Sequence, residues 1–148
     1  QGKPNTMGLS WWTFTSLQPP MIAISIGQTR YTHECIQGCM EFVLCFPSKE
    51  QARAAWLCGI QSGRKTDKFA EPGLTTTPSK IVGPPVIERA TLAYECKVVG
   101  ILECGDHTLY NGEVVAVHGN PELKKHLYTI HYRKLIAVDR EGKVDSSV

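Results

Sequence analysis

Apolar residues along this chain gather in short β-branched runs rather than long helical stripes. The clearest is Met21-Ile22-Ala23-Ile24-Ser25-Ile26, which Pro19-Pro20 forces into an extended entry and Gly27 stops. Residues 5–13 mix small and aromatic side chains and predict an earlier strand. After Gly27 the spacing changes: Thr32 is a candidate helix N-cap, and Cys35, Ile36 and Cys39 recur at helical intervals. Glu41-Phe42-Val43-Leu44-Cys45-Phe46 predicts another short strand, closed by Pro47. Ser48 with Gln51 has capping-box spacing ahead of a second helix, whose apolar stripe is Ala52, Ala55 and Trp56. Residues 61–85 read as loop, with a turn of helix at 67–70. Two long β arms, 92–103 and 108–118, then flank Cys104-Gly105-Asp106-His107, which is good hairpin-turn chemistry. Neither arm alternates cleanly, so both faces are expected to be partly covered. A last strand over 128–138 precedes a polar, frayed tail.

Six or so strands, two or three short helices and no βαβ repeat predict a mainly β fold. The expectation is a barrel or curled antiparallel sheet with peripheral helices. At 148 residues the chain is long enough for one domain with a real core, spanning 1–148, and too short for two. Hydrophobic residues make up 42% and charged residues 20%, and the net charge of +2 calls for neither nucleic acid nor an anionic membrane. No apolar run approaches the ~20 residues that cross a bilayer as a helix. The opening Gln1-Gly2-Lys3-Pro4-Asn5 has neither an initiator Met nor a signal-peptide pattern, so the sequence is expected to begin partway into something longer. Cys35, Cys39, Cys45, Cys58, Cys96 and Cys104 are irregularly spaced without a CxxC pair. They read as small buried apolar residues in a reducing, cytoplasmic setting. A rival reading gives Cys35, Cys39 and other thiols a metal-binding or redox-sensing role on the barrel scaffold.

No GxGxxG or GxxxxGK[ST] is present, so neither a Rossmann dinucleotide site nor a P-loop is expected; the lack of GxSxG weakens an α/β-hydrolase reading, and the five histidines are scattered with no HExxH. Three segments stand out instead. In Asn5-Thr6-Met7-Gly8-Leu9-Ser10-Trp11-Trp12-Thr13, Gly8 and Ser10 would let a flat ring approach the backbone; the plain alternative is a strand with its tryptophans in the core. In Gly27-Gln28-Thr29-Arg30-Tyr31-Thr32-His33 a strand gives way to a helix. Helix N-termini gather free N–H groups and positive dipole, and Arg30 adds a planar fork suited to phosphate; the alternative is a capped helix with a solvated Arg. Ser62-Gly63-Arg64-Lys65-Thr66-Asp67-Lys68-Phe69 is either a second anion loop or an exposed basic loop.

Taken in order, these segments resemble the flavin reductase-like, FMN-binding split-barrel family, the flavoredoxin-like flavoproteins. The resemblance is carried by Gly2-Lys3-Pro4-Asn5-Thr6-Met7 with Trp11, by Pro19-Pro20-Met21-Ile22-Ala23-Ile24-Ser25, and by Tyr31-Thr32 with Ile36 and Glu41-Phe42-Val43. It continues through Ser62-Gly63-Arg64 with Asp67-Lys68-Phe69, then Gly105-Asp106-His107-Thr108 with Gly112-Glu113-Val114. It implies a Greek-key-like split β-barrel that works as a homodimer and binds FMN non-covalently at the dimer interface. The ring-contacting segment would be Asn5, Met7, Gly8, Ser10 and Trp11. The phosphate turn would be Thr29, Arg30, Tyr31 and Thr32, and the second loop Ser62, Gly63, Arg64 and Lys68. His107 would contact an incoming nicotinamide. The implied activity is NAD(P)H-dependent flavin reduction, with electrons passed to an acceptor or redox partner protein; the alternative is an FMN electron carrier that does not use nicotinamide. Two departures accompany the likeness. Gly8 stands where the family often has Thr, and the ~20 residues that usually supply a first strand are missing, so a barrel edge is expected to need covering.

Overall fold

The computed structural model describes residues 2–130 and 134–146. The chain enters the sheet at β1 (Trp12–Leu17), the apolar run after Pro19 becomes β2 (Pro20–Gly27), and the helical spacing becomes α1 (Tyr31–Cys39). β3 (Glu41–Phe46) leads through a 3-10 turn at Lys49–Gln51 into α2 (Ala52–Ile60), and the Ser48 N–H donates to Gln51 Oε1 at 3.1 Å, as the capping-box spacing predicts. Two-residue strands β4 (Thr76–Thr77) and β5 (Val86–Ile87) precede the long hairpin of β6 (Leu92–Cys104) and β7 (His107–Gly119). β8 (His126–Ile130), β9 (Lys134–Val138) and β10 (Val144–Asp145) complete the described chain.

The main sheet is antiparallel in the order β1-β2-β7-β6-β3. Laid flat, its outer strands would stand roughly 19 Å apart, four strand spacings. Yet the rings of Trp12 on β1 and Phe46 on β3 lie 4.9 Å apart, and Phe14 reaches Tyr94 on β6 at 5.9 Å. The sheet is therefore curled until its ends meet through side chains, a barrel whose β1 and β3 edges share no hydrogen-bond ladder. Inside lie Ile22, Ile24, Ile26, Phe42, Leu44, Cys96 and Tyr110, with Ile36 of α1 closing one end. β6 and β7 cross this interior at Gly112. A Cβ there would come within 2.7 Å of the Phe42 ring and 2.9 Å of Cys96 Cβ. Gly112→Ala is expected to cost about 1–3 kcal/mol from overpacking, read as a lower urea midpoint with unchanged slope.

The incomplete alternation of the long arms has a physical source. Cys96 is buried on the inner face, while its neighbour Glu95, also fully buried, is covered on the outer face by residues 80–83. Beyond Val98, β6 leaves β3 behind, and Val99, Ile101 and Leu102 are exposed. β8 extends the β3 side through a bridge between Ser48 and His126, and Thr91 Oγ1 lies 2.7 Å from His126 Nδ1.

Four expectations need correction. The first strand lies at Trp12–Leu17, not 5–13, because the earlier residues leave the sheet to contact α1 and α2. Arg30, not Thr32, is the N-cap of α1, in extended conformation and without a side-chain cap bond; Thr32 is the second residue of the helix and bonds to Asn5. The predicted strand 128–138 is two antiparallel strands with Ile130 opposite Lys134, and residues 131–133 lie outside those described. The tail is tied down, since β10 pairs with β9. None of these corrections alters the mainly β, helix-decorated class.

Candidate anion site at the start of helix α1

β2 and β7 pair so that Gly27 stands opposite His107, which brings the turn after β2 against the tip of the long hairpin. Gln28 fastens the two: its N–H donates to the Asp106 carbonyl at 3.0 Å and its Nε2 to the Gly105 carbonyl at 3.3 Å. The chain then turns at Arg30, whose N–H bonds to the Gly27 carbonyl, and enters α1. His33 N–H returns to the Arg30 carbonyl, but the N–H groups of Tyr31 and Thr32 meet no acceptor among the described residues. A helix start left without a cap, facing outward, is an anion-binding feature in itself.

Charge collects beside it. The Arg30 guanidinium pairs with no carboxylate among the described residues. Lys68 is 5% exposed, and its ammonium donates to one acceptor, the Gln61 carbonyl, at 3.1 Å. Burial lowers the Lys68 pKa; Cys58 partly opposes this and Arg30 adds to it. An ammonium with three donors, one neutral acceptor and a neighbouring guanidinium is short of negative charge.

The loop that carries these groups is held by small residues and short bonds. Ser62 accepts from Lys65 and Thr66 N–H groups through its carbonyl, and from Arg64 N–H through Oγ. Gly63 is obligatory, since a Cβ there would fall 2.0 Å from Asn5 Oδ1 and 3.1 Å from the Tyr31 ring. Asn5 Nδ2 donates to Thr32 Oγ1 at 2.8 Å, while its Oδ1 is buried without a partner. Arg64 lies over Tyr31, 5.4 Å from the ring centroid, donates to the Thr29 carbonyl at 3.3 Å and pairs with Glu34. Asp67 accepts from Phe69 and Ala70 N–H groups and pairs with Lys3 at 2.7 Å; the Lys3 bond, then those two backbone bonds, hold its carboxyl at about 2. The fold thus brings Asn5, Thr29, Arg30, Tyr31, Thr32, Ser62, Gly63, Arg64 and Lys68 to one region.

A second group adjoins it. The Trp11 and His107 rings stack at 4.6 Å with a 30° tilt, and Trp11 is half exposed. Asp106 Oδ1 lies 2.7 Å from His107 Nδ1, so Nε2 is the free end, on the Gly27 side. Among the remaining ring-segment residues, Met7 packs against the core and Ser10 is exposed. Gly8 faces α2: a Cβ there would lie 3.0 Å from Gly59 Cα, so its missing side chain is explained by helix packing.

Sequence reasoning missed Gly59 and Glu34. Both meet partners that are distant along the chain, 51 and 30 positions away, and neither stands in a motif. The thiol reading finds no support in clustering: no group of three or more metal-ligating side chains occurs among the described residues, and all six cysteines are free.

Curled barrel, hairpin-braced turn and uncapped helix start together define a β-barrel domain with a helix start and cationic side chains at one end. Residues 1–136 match the flavin reductase like domain, and the chain belongs to that family. An uncharacterized protein of Archaeoglobus fulgidus is 40% identical over 119 residues, 80% of this chain and 67% of its own. An NADH-dependent FAD reductase of Streptomyces globisporus is 26% identical over 119 residues, 76% of this chain and 62% of its own. The crystal structure of an FMN-binding protein from Thermus thermophilus superposes with a TM-score of 0.74 at 26% identity, covering 95% of this chain and 77% of that one. The chain spans about half to two thirds of the length of the curated relatives it matches. No helix among the described residues is long and apolar enough to cross a membrane.

Proposed function

We propose that this domain binds FMN with its phosphate at the start of α1 and works as an NAD(P)H-dependent flavin reductase in the cytoplasm. The observation that carries the reading is an uncapped helix start against which the 61–68 loop folds, Gly63 at Asn5 and Tyr31 and Arg64 at Thr29, with Lys68 of that loop a buried cation that has one neutral acceptor. A phosphate monoester supplies the acceptor oxygens that Lys68, Arg30 and the Tyr31 and Thr32 N–H groups lack. The name of the Thermus thermophilus neighbour supports FMN, and that of the Streptomyces globisporus relative supports a nicotinamide donor.

When bound, the flavin supplies hydride acceptance from NADH or NADPH and onward electron transfer. The chain's own contributions are position and charge. Backbone groups between Met7 and Ser10 would hydrogen-bond the ring's polar edge and would offset negative charge there. Gly8 offers backbone alone, because α2 occupies its side-chain space. Trp11 and His107 form a flat stacked pair that would flank the ring, and Asp106 holds His107 so that Nε2 would be the end offered to an incoming nicotinamide. The site is open, and Phe14, Leu17, Val99, Ile101 and Leu102 are exposed on the barrel surface, which supports a second copy of the chain as the missing wall. Free thiols at all six cysteines suit a reducing compartment.

The test is to mix protein, FMN and either nicotinamide anaerobically and follow the flavin's visible band. Bleaching is expected; an FMN-loaded protein that neither donor bleaches would be an electron carrier, and the reductase reading would fall. Arg30→Ala is expected to weaken FMN about tenfold and leave riboflavin unchanged, because only FMN carries the phosphate. Fluorescence titration with both ligands checks it.

A further inference from the structure

Arg64, beside the start of α1, already has an anion. It pairs with Glu34, its Nη1 donates to the Thr29 carbonyl, and its guanidinium covers Tyr31. Glu34 lies in the first turn of α1, where a carboxylate is favoured by the helix dipole, and it is the acidic residue of that turn. Its carboxylate thus supplies negative charge beside the uncapped turn. Thr29, whose carbonyl Arg64 contacts, directly precedes Arg30, so this ion pair borders the proposed phosphate position.

We propose that Glu34 is an internal counter-anion that competes with the flavin phosphate for Arg64 and so keeps the flavin exchangeable; this rests on the phosphate reading above. Two effects act in the same direction. A phosphate arriving at the turn meets like charge on Glu34, and it must share the Arg64 guanidinium with a carboxylate already paired there. The pair is solvent-exposed, with Arg64 43% and Glu34 56% accessible, so its strength is modest and the exchange readily reversible. A flavin held this way suits a protein that releases it, rather than one that keeps it permanently.

The experiment is titration of FMN and riboflavin, by flavin fluorescence, into wild type, Glu34→Gln, Arg64→Ala and the double variant. Glu34→Gln is expected to tighten FMN about threefold, leave riboflavin unchanged and steepen the loss of FMN affinity with added salt. In the Arg64→Ala background the same change is expected to recover less than half of that gain, which a structural role of Glu34 in α1 would not produce. Weakened or unchanged FMN binding by Glu34→Gln would overturn the proposal and leave the phosphate site standing. Equal wild-type affinities for FMN and riboflavin would overturn the phosphate site, and this inference with it.

Discussion

Glu95→Gln is expected to lose about 2–3 kcal/mol of stability at neutral pH, the largest single loss foreseen for a near-isosteric change in this fold. Glu95 is fully buried on the outer face of β6, yet its carboxylate is completely occupied. It accepts from the N–H groups of Lys80 at 2.7 Å, Ile81 at 2.8 Å and Val82 at 3.2 Å, and lies 2.6 Å from His118 Nε2. Burial alone pushes its pKa up; the backbone donors and His118 outweigh this and hold it at about 2. The folded value lies below the unfolded one, so the stabilisation is fully present above about pH 5 and is lost as pH falls through the folded value. An amide offers one acceptor oxygen and brings two donors of its own, which face N–H groups. Urea titrations at pH 7 and pH 3 should show the gap between wild type and variant narrowing on acidification. A gap that stays constant would assign the loss to packing rather than charge.

This carboxylate also marks where sequence reasoning stopped. The hairpin of β6 and β7 was legible because Gly105-Asp106 announces its turn, and β2 because Pro19-Pro20 and Gly27 bracket an apolar run. Nothing local distinguishes Glu95 from a solvent-facing acid. What buries it is a segment 13 to 15 residues earlier that read as featureless loop. The first strand was misplaced for a similar reason: residues 5–11 have strand-like composition, but Asn5 bonds to Thr32 and Gly8 packs on Gly59, and those contacts decide. Thr32 was the better cap by residue type, yet the cap position fell to Arg30. A side-chain cap would occupy N–H groups that the proposed phosphate needs, so the broken capping rule agrees with the proposed site. Turn residues gave no warning of the break between β8 and β9, because Tyr128 to Val138 contains neither Gly nor Pro.

The same conflict between stability and ligand binding gives the second large effect, at Lys68. Lys68→Met keeps the length and apolar stem of the side chain and removes the buried ammonium. That ammonium has the Gln61 carbonyl as its acceptor and Arg30 as a charged neighbour, and burial holds its pKa down. Removing it is therefore expected to leave the unfolding midpoint unchanged or raise it. FMN affinity, by contrast, is expected to fall roughly 10–100-fold, the loss of one or two charge-assisted bonds in a dry setting. Riboflavin, lacking the phosphate, should bind the variant as well as wild type. Chemical denaturation alongside titration with both flavins separates the possibilities. A variant that is less stable and loses both ligands equally would make Lys68 a structural residue of the 61–70 loop. A variant that holds its stability and loses FMN alone would mean the fold tolerates an under-paired cation because a phosphate completes its hydrogen bonding.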